Sequence, residues 1–136
     1  MNRHVIMGYS KGYRELEKAF ASFTGALSEL VSVSDSSLLS PSGGGSFSAF
    51  GHALKIEWRF VVIGNESMGE LGARLDAPGT EPFLVLWFDT VMNIRTRPES
   101  VFSSFNGFDP AHLEKIVFMI LEKFLSLDCF SPGQKP

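Results

Sequence analysis

Apolar residues recur at steps of three and four along residues 9–31: Tyr13, Leu16, Phe20, Phe23, Leu27 and Leu30. At 3.6 residues per turn that spacing puts all six on one stripe of a helix, with Lys11, Arg14, Glu15, Lys18, Ser22 and Glu29 mostly elsewhere. Ser10 stands where an N-cap is wanted. The period then changes to two. Leu54, Ile56, Trp58, Phe60 and Val62 alternate with Lys55, Glu57 and Arg59, which predicts a strand over 52–63 with one apolar and one charged face. A second strand is expected at about 69–77, with Leu71, Ala73, Leu75 and Ala77 inward and Glu70, Arg74 and Asp76 outward. A third, 82–89, is apolar on both sides. Short turns at 64–67 and 78–80 join the three, so an antiparallel meander is the natural arrangement. A short fourth strand fits around Asn93–Thr96, after a turn at Thr90–Met92. Residues 97–109 read as irregular. Asp109-Pro110 pairs an N-cap with proline at the first helical position. It opens a helix over about 110–127, with Leu113, Ile116, Val117, Ile120, Leu121, Phe124 and Leu127 on one broad arc.

Between the first helix and the first strand the pattern fails. Residues 32–48 hold eight serines around Pro41 and Gly43-Gly44-Gly45, the composition of a flexible loop. Residues 129–136 are expected to fray. The whole reads as a single α+β domain over 1–136. Its parts are an N-terminal helix, a three- or four-stranded antiparallel β-meander and a C-terminal helix, packed in two layers. The helices share one sheet face or take one each.

Composition narrows the functional classes. The 136 residues are 44% hydrophobic and 20% charged, with thirteen Phe and two Trp, a heavy aromatic load for more than one core or for a core and an interface. A net charge of −3 argues against a nucleic-acid partner, whose phosphates call for clustered Lys and Arg. The lone Cys129 allows no internal disulfide, and the first residues lack the apolar run of a signal peptide. No stretch approaches the length of a membrane span. The expectation is a cytoplasmic protein without a membrane partner.

Candidate chemistry is sparse. Gly43-Gly44-Gly45-Ser46 lacks the Lys and the strand–loop–helix setting of a phosphate-binding loop. His4, His52 and His112 show no metal-ligand spacing, so no metal or other cofactor is expected. Asp89 closes a very apolar strand, and reads better as a turn residue bonding its own backbone than as an acid or base. The expectation is therefore not an enzyme.

Two features exceed what a simple core needs. Phe83, Val85 and Trp87 point to one side of the third strand, and Leu84, Leu86 and Phe88 to the other. Phe118 falls between Glu114 and Glu122 on the polar side of the last helix, next to Met119. Trp87, Phe88, Phe118 and Met119 are thus the expected partner-binding residues. They suggest a small protein that binds another protein stoichiometrically, as an inhibitor or immunity protein does. The general layout is also broadly compatible with a secretion-chaperone-like homodimer, though no specific motif carries that and no middle helix is predicted. An aromatic pocket for a small molecule between sheet and helices is the third class.

Overall fold

A computed structural model describes the backbone of residues 1–33, 39–100 and 102–133. The elements are α1 (Arg3–Val33), β1 (Ser40–Gly43), β2 (Ser46–Ala49), β3 (His52–Ile63), β4 (Glu66–Leu75), β5 (Leu84–Phe88), β6 (Asn93–Arg95), β7 (Phe105–Asn106) and α2 (Pro110–Leu125), closed by a 3₁₀ turn at Asp128–Phe130. The fold is α+β: a helix, an antiparallel sheet and a helix, as the periodicities predict. Each strand pairs with its neighbours in sequence, in the order β1 to β7. Among the described residues, seven strands replace the expected three or four.

The additional strands come from stretches read as irregular. Gly43, Gly44 and Gly45 all have positive φ (97°, 58° and 82°) and turn β1 into β2 as a hairpin. Phe47 and Ala49 point inward and are buried, while Ser46 and Ser48 take the alternate positions. The serines that suggested a flexible loop over 32–48 therefore include the outward half of a strand, and only residues 34–38 of that segment lie outside the described residues. At the far edge, Phe105–Asn106 adds β7 to β6.

Helix ends differ as well. α1 starts at Arg3 because Asn2 Oδ1 accepts the Val5 N–H (3.0 Å), capping the helix two turns before Ser10. α2 starts as expected, with Asp109 accepting from the Ala111 N–H. Within the expected tail, 129–136, the chain forms part of the 3₁₀ turn at Asp128–Phe130. The Phe130 ring packs edge-on against Phe124 (4.8 Å between centroids) and His52 (5.1 Å), and residues 134–136 lie outside the described residues.

Both helices lie on one face of the sheet. α1 sets Tyr13 and Phe20 on Trp58, and α2 sets Phe124 against His52; Trp58 and His52 are same-parity residues of β3. This inner face holds a continuous core that includes Leu16, Phe23, Leu27, Phe47, Leu86, Phe88, Ile116 and Phe124. Gly69 of β4 stands opposite Phe88, and a Cβ there would collide with the Phe88 ring, so the missing side chain makes the seat for the aromatic. Among the described residues, no helix is long and apolar enough to cross a membrane.

Candidate protein-contact surface

The structure separates the four residues expected to bind a partner. Phe88 is 0% exposed, between Phe20 and Trp58 in the core, and is withdrawn from any surface. Met119 is half-buried and packs against the same core from α2. Phe118 is 55% exposed, and Leu125, two turns along the same stripe, is exposed too. Trp87 is half-buried on the opposite, outer face of the sheet. The doubly apolar strand is resolved by parity: Leu84, Leu86 and Phe88 face the helices, and Phe83, just before β5, turns inward to Phe124 (5.7 Å). Only Val85 and Trp87 are left outside.

That outer face is held by charge. Arg59 Nε donates to Glu70 (2.8 Å), Arg74 to Glu57 (2.6 Å) and Arg95 to Glu66 (3.1 Å), while the Trp87 indole N–H donates to the other Glu70 oxygen (3.1 Å). Register explains the row: Arg59, Glu70, Trp87 and Arg95 stand directly opposite one another across β3, β4, β5 and β6. The hydrogen bond from Arg59 holds the Glu70 carboxyl below its ordinary range; burial opposes this and the Trp87 N–H adds to it. Arg74 does the same for Glu57, also against burial. Met68 lies between Glu66 and Glu70 on this face and is fully buried, apart from the main core. The apolar patch expected around the third strand is thus a roofed and ion-paired surface.

Asp89 is a turn residue. Its carboxylate accepts the Val91 and Asn93 N–H groups (3.0 and 2.9 Å) and the Asn93 side chain (3.3 Å). Asn106 donates in turn to Asn93 Oδ1 (3.0 Å), and its own N–H is donated to His112 Nδ1 (2.9 Å). These bonds tie the β5–β6 turn to β7 and α2. Among the described residues, no three His, Cys, Asp or Glu side chains are grouped to hold a metal ion.

The most open surface is one the sequence did not mark. β2 pairs with β3 only from His52 to Lys55, and the Gly45 carbonyl accepts the Ile56 N–H (2.8 Å). Beyond Ile56, no described strand lies on that side of β3. The Ile56 bond fixes the direction of the groups: in an antiparallel strand alternate residues bond to the same side. Trp58, Phe60 and Val62 therefore aim their N–H and C=O groups at the open edge. Their side chains face α1, where Phe60 meets Tyr9 (6.4 Å) and Tyr13 (5.9 Å) and Tyr13 meets Trp58 (5.4 Å). Val62 is 44% exposed, and so is much of Tyr13, which meets Trp58 and Phe60 on the same edge. The chain matches no family model, no curated protein and no solved structure. The assignment of this surface accordingly rests on its geometry: a seven-residue edge, Glu57–Ile63, without proline, whose charged side chains, Glu57 and Arg59, are paired to Arg74 and Glu70 on the outer face. The edge is open because the two strands differ in length: β3 has twelve residues and β2 four.

Proposed function

We propose that this is a non-enzymatic protein-binding protein that works by stoichiometric contact, and that the open edge of β3 with its α1 flank is where the partner seats. One observation carries the reading: among the described residues no strand pairs with the outward backbone groups of Trp58, Phe60 and Val62, and the exposed side chains of Tyr13 and Val62 flank them. Backbone groups along such an edge give affinity to an added strand, and flanking side chains give it register. Phe118 and Leu125 form a smaller apolar stripe on α2, with Glu122 between them.

A photo-crosslinking residue placed at Val62, and separately at Phe118, tests the assignment in living cells. The expected result is a covalent adduct with a protein from position 62. An adduct from position 118 alone, or from neither, overturns it.

A further inference from the structure

We propose that the open edge of β3 is closed by a second copy of this chain, paired antiparallel about a two-fold axis at Phe60. The inference rests on the reading of this edge as a protein-contact surface and names its occupant. The outward groups sit on Trp58, Phe60 and Val62, symmetrically about Phe60. A two-fold axis there sets Phe60 opposite itself and Trp58 opposite Val62 of the second copy, and every outward N–H then meets an outward C=O. The pairing ends at Trp58 with Val62 of the second copy, because Gly45 already bonds Ile56 and the second copy's chain must turn away at Gly64, toward its own β4; sliding the register away from β2 leaves Trp58 unpaired. On the inner face the same register pairs aromatic with β-branched and aromatic side chains, a favourable cross-strand combination.

α1 is self-complementary about the same axis. Arg3, Ser10 and Glu17 are exposed and seven residues apart, so they form one stripe, beside Ile6 and Tyr13. Phe60 lies between Tyr9 and Tyr13, which brings the axis past α1 close to Ser10. Arg3 then faces Glu17 of the second copy, and Glu17 faces its Arg3. The spacing agrees. α1 rests on β3 through Tyr13 and on β4 at Gly12, where an added Cβ would lie 2.6 Å from Ser67 Oγ. With strands about 4.8 Å apart, a helix midway over β3 and β4 stands about 10 Å from its symmetry mate, close to the separation of packed helices. Seven strand residues and one helix stripe make a contact below the standard size of about 800 Å² per partner. Association is therefore expected to be concentration-dependent, with a Kd of roughly micromolar order.

Light scattering and sedimentation over a wide concentration range test this on the full chain. The expected result is a monomer–dimer equilibrium. Val62→Pro removes one outward N–H at an edge position that tolerates proline, and is expected to weaken the dimer about tenfold or more. Arg3→Glu and Glu17→Arg are each expected to weaken it about threefold, and the double charge swap to restore it. If Val62→Pro does not fold, the charge swap decides. A chain that stays monomeric throughout, or a dimer indifferent to these changes, overturns the proposal. Position 62 crosslinked to a different protein, with the chain itself monomeric, overturns the second copy as occupant and leaves the contact surface standing. No adduct at position 62 removes both.

Discussion

The inner face of the sheet buries Phe23, Phe47, Phe88 and Phe124 beneath two helices, while the outer face carries neither helix and aligns Arg59, Glu70, Trp87 and Arg95 in a row. Each face carries large side chains, but they are stabilised by different physics. On the inside the gain is area removed from water and close packing. On the outside it is a set of partly exposed ion pairs, individually worth little, with the Trp87 indole hydrogen-bonded to one of their carboxylates. A tryptophan is therefore no guide to where a partner binds unless its neighbours are known.

Breaking the comparison from the inside has the largest effect. Phe124→Ala, which empties the space between His52, Phe83 and Phe130, is expected to cost about 3–5 kcal/mol in chemical denaturation. Gly69→Ala forces the Phe88 ring from its seat and is expected to cost about 1–3 kcal/mol, relieved when Phe88 is shortened to Leu in the same chain. The outer row is softer. Glu70→Gln is expected to cost about 1 kcal/mol or less, because the pair it breaks is partly exposed. It also carries a pH signature. Glu70 and Glu57 have carboxyls held below their unfolded values, so their stabilisation is present above the ordinary carboxylate range and is lost as pH falls through their folded values. Stability measured from neutral to acid pH is expected to decline on that side, and less steeply in Glu70→Gln. The smallest change is Phe118→Ser, on an exposed helix position, expected to stay within about 0.5 kcal/mol. A loss above about 2 kcal/mol there would place Phe118 in packing the structure does not contain.

The long periodic elements were legible in the sequence for a physical reason. α1, β3 and α2 repeat their pattern over enough residues that one stripe or one face is specified many times over. β2 repeats it twice, at Phe47 and Ala49, among serines that mimic a loop. The orientation of Leu84–Phe88 was not legible, because both parities are apolar; Gly69 on the neighbouring strand decides it by leaving room for Phe88. Phe118 was read correctly as standing on the polar side of its helix, whereas Met119, one step round, turns to the core. The open edge of β3 was invisible for a different reason. A strand's own residues say which face is buried, but how far its neighbour runs alongside is a property of the pair.

The order of the strands has a consequence for the chain as it is made. Every strand pairs with the one synthesised just before it, so the sheet can zip up hairpin by hairpin with little loop closure. α1 does not share that advantage. Its Phe23 ring closes with Met92 on Gly107, near the end of the meander. The α1 stripe is therefore covered in stages, by Trp58 and Phe60 of β3 and only later, at Phe23, by Met92. Until Met92 and Gly107 follow, the Phe23 end of that stripe is exposed apolar surface, the kind on which misassociation starts.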